Sequence, residues 1–314
     1  MNLKFEPPQK KVSPLAIFYR LTRAQFLPLI IFPVLVGTAL AYYDGKVLNI
    51  GFFVAALLGS VLLHLGANSI DDCYDFQNGV DGVANSMFPK DFRGWKPLPR
   101  GLISLRNAKV ISYSLYAASI SFGIYLSFKV GIFAIVLGAI GIFLAHFYSA
   151  PPLKLDYRGK ALGETAIFFA FGPIPILGAF YVQSGILSLN AFLVAIPVGL
   201  MTVTILMNHD LIFYEVYQSS RKLSLTTVLG RKSALNYSLG LTIVSYACVA
   251  ALILGKVLPI YSMLAPLLSA IVLARNRDGF SKSSEPPPYY VPFTINALLS
   301  NWLFMTVLVA SLLI

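Results

Sequence analysis

Charge is scarce in this chain. Of 314 residues only 12% are Asp, Glu, Lys or Arg, and 57% are hydrophobic. Soluble domains carry about a quarter charged residues, so the shortage excludes an ordinary soluble globule. Cysteine is nearly missing as well. Cys73 and Cys248 are the only two, which excludes a disulfide framework and a thiolate metal cage. Histidine is limited to His64, His146 and His209. They lack zinc-site spacing and read more readily as packed or hydrogen-bonded residues than as catalytic ones.

What fills the chain instead is apolar runs close to 20 residues long, each able to cross a bilayer core of about 30 Å. Nine such runs lie near 26–43, 50–68, 108–127, 130–148, 163–182, 187–208, 236–254, 257–274 and 293–313. The composition therefore predicts an all-α membrane protein, a bundle of about nine transmembrane helices. Residues 26–314 form one polytopic domain. Residues 1–25 precede it as a cytoplasmic segment with no secretory signal pattern. Within that segment Ser13 can cap a short amphipathic helix with Pro14 at its first position, lying on the membrane surface.

The basic residues set the orientation. With nine spans, 21 of the 24 Lys and Arg fall on one side, leaving Lys46, Lys129 and Lys256 on the other. The positive-inside rule puts the N-terminus in the cytoplasm and the C-terminus outside. The net charge of +11 is then a matter of topology and anionic lipid headgroups, with no call for nucleic acid. Twelve of the 13 acids share the cytoplasmic side, Asp44 excepted. Acids contribute little to orientation, so that face carries the chemistry.

The second apolar run ends in GANSIDDCYDFQNGVD, residues 66–81. At about 100° per residue, Asp71, Asp72 and Asp75 fall about 300°, 40° and 340° around the helix from Asn68. All four share one stripe. Carboxylates that close repel one another unless a cation offsets them. Oxygen ligands without His or Cys suit magnesium (Mg2+), which typically bridges to a substrate phosphate. The bland counterpart is a solvated acidic helix end, but charge clusters at spans are usually functional. The next segment, FRGWKPLPRGLIS, supplies Arg93, Lys96 and Arg100 around stiffening prolines. The loop FYSAPPLKLDYRGKALGE adds Lys154, Arg158 and Lys160, with Tyr148 at the mouth of the fourth span. Such cations can hold diphosphate oxygens.

The pattern recurs about 140 residues on. Asn208 ends the sixth run as Asn68 ends the second, followed by acids and a basic loop. Pseudo-repeats of about 26–160 and 161–314 with a site between them match a common membrane plan.

At these residues the sequence resembles the UbiA superfamily of intramembrane prenyltransferases, most of all its MenA branch, which makes menaquinone precursors. NSIDDCYDFQNGVD, KPLPRGLIS and YSAPPLKLDYRGKALGETAIFFAFGPIPILGAFYVQSG carry the likeness, which runs from about residue 20 to the C-terminus. The resemblance implies a magnesium-dependent transfer of a polyprenyl chain from polyprenyl diphosphate to an aromatic acceptor. It implies metal ligation by Asn68, Asp71, Asp72 and Asp75. Lys96, Arg100 and Lys154 would hold the diphosphate, with Arg93 and Arg158 as further candidates, and Tyr148 would sit near the cation or acceptor. The prenyl tail would lie in an apolar groove between spans.

The chain departs from the family in its second motif. Two acids are expected four and eight residues after Asn208, where Ile212 and Val216 stand. Glu215 lies on the Asn208 stripe, seven residues on as Asp75 is from Asn68, and is expected to serve. Asp210 lies about 200° away and is expected to join only if the helix breaks there. A second magnesium is thereby open, while Arg221 and Lys222 can still reach diphosphate. Other acceptors (a porphyrin, a chlorophyllide, a benzoate, a glycerol-phosphate lipid) keep the same chemistry. A transporter or a non-catalytic lipid-binding protein is the alternative from another class, opposed by span interiors nearly free of charge. Residues 281–292 read as a proline-rich linker.

Overall fold

The computed structural model describes residues 12–45, 47–88, 96–275 and 290–314. Arg93 and nearly all of the 281–292 loop lie outside the described residues. Among those described the chain is helical, with one isolated bridge between Arg158 and Leu223 in place of any strand.

The short helix α1 (Pro14–Leu21) begins at Ser13, whose side chain accepts from the Ala16 N–H at 3.2 Å. A 3-10 turn at Ala24–Phe26 leads into α2 (Pro28–Gly45). Then come α3 (Ile50–Gln77), α4 (Val80–Met87), α5 (Leu105–Val130) and α6 (Phe133–Phe147). The second half holds α7 (Leu162–Phe171), α8 (Pro173–Ser184), α9 (Leu189–Ile212), α10 (Tyr214–Ser220), α11 (Leu225–Leu229), α12 (Arg231–Leu254), α13 (Leu264–Leu273) and α14 (Val291–Leu313).

Seven stretches among the described residues are long and apolar enough to cross a membrane. Two of the nine expected spans, Phe133–Phe147 and Ile260–Leu273, are apolar helices too short for that criterion. At 1.5 Å per residue they reach only about 20 Å, so the count of nine is not met in full. One expected span is also broken: Gly172 divides it into α7 and α8. A Cβ there would stand 2.8 Å from Ala195 O and from Gly199 Cα, so the bend lets the chain touch α9 directly.

The packing follows from apolar faces of two kinds. Val36, Leu40, Ile176, Val194, Val198, Met201, Phe304 and Leu308 form the main core, joining α2, α8, α9 and α14. Phe128, Ile243, Leu254, Leu267 and Ile271 are exposed, as lipid-facing residues are, because lipid does not penalise them. Buried hydroxyls stitch the helices together. Ser112 donates to Ser69 at 2.7 Å between α5 and α3, and Ser245 donates to the Pro197 carbonyl at 2.9 Å between α12 and α9. Inside a bilayer such groups must find partners in the protein.

Two features position the site. The helix α3 continues nine residues past the expected end of its span, so Asn68 to Asp75 stay on one rigid helical face. The helix α9 ends at Ile212, and the chain turns at Phe213 into α10. The ends of both helices therefore meet the same loops.

Candidate active site

A cavity of about 540 Å³ opens among α2, α3, α5, α6, α7, α8 and α9. Its two ends differ in chemistry. One end is walled by Asp71, Asp72, Asp75, Asp81, Lys96, Arg100, Asp156, Asp210, Lys222, Arg20 and Arg23. The other is walled by Ala55, Gly59, Leu63, Gly123, Leu126, Leu137, Gly138, Ile174, Gly178 and Val182. On α3 the lining runs from Asp75 back to Ala55 at three- and four-residue steps, a length of about 30 Å.

The charged end is built from the α3 stripe outward. Asp71, Asp72 and Asp75 are all buried. Arg23 meets Asp71 at 3.0 Å and also pairs with Asp72. Lys96 Nζ lies 3.0 Å from Asp72, 3.7 Å from Asp75 and 2.8 Å from Asp81. Ser149 donates to Asp71, and Tyr157 OH donates to Asp75 at 2.5 Å. Lys222 Nζ stands 3.1 Å from Asp75 and 2.6 Å from Asp156.

Local structure explains these placements. Lys96 precedes the turn Pro97–Gly101, in which Leu98 is buried against Ile70 and Cys73 as an anchor. Asp156 sits in a 3-10 turn whose N–H donates to the Tyr148 carbonyl at 3.0 Å. Arg23 adopts φ 48°, a left-handed conformation uncommon for a side-chain-bearing residue. Its cost, about 1–2 kcal/mol, is borne where the guanidinium reaches two carboxylates.

Burial shifts the groups that lie outside the spans. It disfavours the charge on Lys96, Lys222 and Arg23, but the surrounding carboxylates overcome that and hold all three above their usual ranges. Burial pushes the Asp81 carboxyl up to about 6, against the opposing pull of Lys96. It pushes Asp156 up to about 8, although Lys222 beside it favours the carboxylate.

Of the expected residues, Asn68, Asp71, Asp72, Asp75, Lys96, Arg100, Tyr148, Asp210 and Lys222 all line the cavity. Others do not. Lys154 reaches sideways to Asn78 Oδ1 at 2.8 Å, and Arg158 donates to the carbonyls of Pro152 and Leu153. Asn208 turns back on its own helix, donating to Thr204 O at 2.8 Å. Glu215 pairs with Arg231 on the half-exposed outer side of α10. The expectation for Glu215 and Asp210 is thus reversed. Thr202, Ile205, Leu206, His209, Asp210 and Phe213 make the lining stripe of this half, and Asn208 is not on it. The asparagine is therefore the wrong origin for counting around α9, and Asp210 faces the cavity without a helix break before it.

Several residues of the site carried no such expectation. From the sequence Arg23, Asp81 and Asp156 take no role in the site, and His64 and His209 read as packed or hydrogen-bonded residues. All five line the cavity. His64 Nε2 lies 3.0 Å from Asn68 Nδ2. Only their convergence on one cavity in the assembled fold distinguishes them, and only the YSAPPLKLD run hinted at Asp156.

Among the described residues no three His, Cys, Asp or Glu side chains close into a ready metal cage. Bases take up the carboxylate oxygens instead. The charge balance nevertheless leaves room for a cation. Six carboxylates line the cavity (Asp71, Asp72, Asp75, Asp81, Asp156, Asp210), against Arg23, Lys96 and Lys222 in their midst and Arg20 and Arg100 nearer the rim. Acids outnumber bases six to five before any phosphate enters. Asp81 Oδ2 and Asp210 Oδ2 are buried with no hydrogen-bond partner. This oxygen donor set suits a hard divalent ion.

Comparison with known proteins agrees. The sequence profile of the UbiA prenyltransferase family matches residues 30–298. The chain is 24% identical over 252 residues to 1,4-dihydroxy-2-naphthoate octaprenyltransferase of Bacillus subtilis, covering 79% of this chain and 76% of that one. It is 29% identical over 250 residues to UbiA prenyltransferase domain-containing protein 1 of Dictyostelium discoideum, covering 77% and 71%. In three dimensions it resembles a UbiA homolog from Archaeoglobus fulgidus solved with GPP and Mg2+, with TM-score 0.63 and 16% identity over 93% of this chain and 99% of that one. At that identity the likeness speaks for the fold. A multi-helix membrane bundle with a charged end facing an apolar groove, matched by the family profile over most of its length, belongs to the UbiA prenyltransferase family and is a membrane-embedded prenyltransferase.

Proposed function

We propose that the chain transfers a polyprenyl group from polyprenyl diphosphate to an aromatic quinone precursor of the dihydroxynaphthoate type, releasing diphosphate at the cytoplasmic face of the membrane. The single observation that carries this is the continuity of the cavity. A charged end able to hold a diphosphate opens into an apolar groove, and the two together run about 30 Å along α3, close to the thickness of a bilayer core.

Asn68, Asp71, Asp72 and Asp75 would hold magnesium. When bound there, magnesium supplies positive charge that stabilises the departing diphosphate. Lys96, Arg100 and Lys222 bind the diphosphate oxygens, and Arg23 keeps Asp71 and Asp72 in place. The allylic C–O bond breaks with its electron pair leaving on the diphosphate. The ring carbon of the acceptor then bonds to the allylic carbon, and the group that carbon carried (a proton, or the carboxylate as CO2) departs, leaving its electron pair to restore the aromatic ring. The low-dielectric groove excludes water, which would otherwise capture the cation. Asp210 lines the same cavity and would accept a hydrogen bond from the acceptor's hydroxyl. Tyr148 contributes an aromatic wall where positive charge develops.

The acceptor class is supported by the named activity of the Bacillus subtilis relative. With the two shorter apolar helices counted as spans, the 21-to-3 division of Lys and Arg supports a cytoplasmic N-terminus and an outside C-terminus.

Purified protein in detergent, given labelled geranylgeranyl diphosphate and a panel of aromatic acceptors, tests this. A prenylated dihydroxynaphthoate that forms with magnesium and not with EDTA is the expected result. A different preferred acceptor would change the substrate class. Flux of a metabolite through proteoliposomes without any prenylated product would sink the assignment.

A further inference from the structure

The second acidic motif is the chain's main departure from its family, and the packing shows what became of it. Ile212 is packed with Leu211, Leu235 and Phe293. Val216 is fully buried against Val80, Phe88 and Tyr217. Neither position faces the cavity as a ligand could, and Glu215 is engaged outside it. Among the described residues of this half only Asp210 presents a carboxylate to the site, with Asp156 beside it from the loop that ends the first half.

Between those carboxylates and the α3 stripe lies Lys222. Its residue is 2% exposed. Its ammonium lies 2.6 Å from Asp156 and 3.1 Å from Asp75, so a lysine of the second half binds acids from two separate segments of the first. The rings of Tyr157 and Tyr217 flank it at 4.9 and 4.8 Å. The backbone holds it there. The Lys222 N–H donates to the Tyr217 carbonyl at 2.9 Å, Arg221 before it takes φ 56°, and Leu223 after it bridges to Arg158. A buried ammonium is costly unless its partners are well placed, and here they are carboxylates on two different segments. A divalent ion in this corner would face the ammonium at close range, and the like charges would repel.

We propose that the Lys222 ammonium takes the place of a second divalent cation, so that this enzyme works with one divalent ion per chain. The ion belongs to the α3 carboxylates, and Lys222 neutralises Asp75 and Asp156 and offers its remaining hydrogen-bonding capacity to the diphosphate. This rests on the prenyltransferase reading of the site.

The test counts ions on the full-length protein in detergent, by electron paramagnetic resonance of Mn2+. The inert probe is geranylgeranyl thiolodiphosphate. Wild type is expected to bind one Mn2+ per chain in the presence of the probe. Lys222→Met is expected to bind two, because Asp75 and Asp156 lose their built-in cation. Lys222→Arg is expected to stay at one. Two ions in wild type, in a preparation that still prenylates an acceptor, overturns the proposal and leaves the prenyltransferase reading intact. Two ions in Lys222→Arg, or one in a folded Lys222→Met, overturns it as well. The wild-type count decides even where Lys222→Met does not fold. A chain that neither binds the probe nor prenylates any acceptor fails the prenyltransferase reading, and this proposal with it.

Discussion

Asp75 and Lys222, 147 residues apart, meet at 3.1 Å at the charged end of the cavity. Asp75 comes from the end of α3 and Lys222 from the loop after α10, so one ion pair joins the two halves of the chain. Tyr157 OH reaches the same Asp75 oxygen from a third segment.

The α3 carboxylates should be indispensable to turnover. Removing one outright would strand the buried cations that pair with it, at a cost of about 3–5 kcal/mol. Asparagine keeps the shape and an acceptor oxygen. Asp72→Asn and Asp75→Asn are each expected to lower kcat/KM by about a hundredfold or more while the protein elutes and melts as a folded species. Wild-type rates in both variants would remove these residues from the site.

The second half should depend on Asp210 and not on Glu215. Asp210 lines the cavity, whereas Glu215 pairs with Arg231 outside it. Asp210→Asn is expected to lose at least about tenfold in kcat/KM, and Glu215→Gln to stay near wild type. Steady-state kinetics on the pair checks this, and the reverse order would restore the Asn208 stripe.

The apolar groove should set which donors fit. An ideal Cβ at Gly138 on α6 would meet nothing within 4 Å, and the residue lines the cavity. Gly138→Leu therefore places a side chain in the groove without a clash against protein. The variant is expected to retain activity with geranyl diphosphate and to lose at least about tenfold with geranylgeranyl diphosphate relative to wild type. Equal losses with both donors would mean that the tail does not run past α6.

Asp81 should leave a pH signature on stability. Its carboxyl is raised by burial to about 6 in the fold, from about 3.9 in an unfolded chain. A raised acid contributes its stability below the unfolded value, and loses it as pH rises through the folded one. Above pH 6 the buried Asp81 carboxylate is thus a cost. Asp81→Asn still accepts from Lys96, so metal-free protein is expected to melt a few degrees higher than wild type at pH 7.5, on the order of 1 kcal/mol. The difference should vanish near pH 4. Thermal unfolding across that range checks it, and a lower melting temperature for the variant at pH 7.5 would show that the Lys96 ion pair outweighs burial.

Much of this molecule could be read along the chain. Hydrophobic length located the apolar helices, seven of them long enough among the described residues to span, because an apolar run has few other uses. Helical periodicity placed Asn68, Asp71, Asp72 and Asp75 on one face, since α3 is a regular helix to Gln77. The KPLPRG turn identified Lys96 by its prolines. Periodicity failed at α9, where it was counted from Asn208. A repeat in residue type does not fix which face of a helix meets the cavity, because that is decided by what packs on the other side. Here α11 and α12 cover the Asn208 side.

Local sequence thus determined the membrane class, the helices and the acidic stripe, all of which follow from neighbours within a few turns. Only the tertiary structure decided the rest of the site. Arg23, Asp81 and Asp156 are ordinary loop or helix-end charges, and Asp210 and Lys222 no more than candidates, until segments up to 199 positions apart (Arg23 to Lys222) close around one cavity. Electrostatic work depends on distance and burial, and neither is a property of a residue's place along the chain.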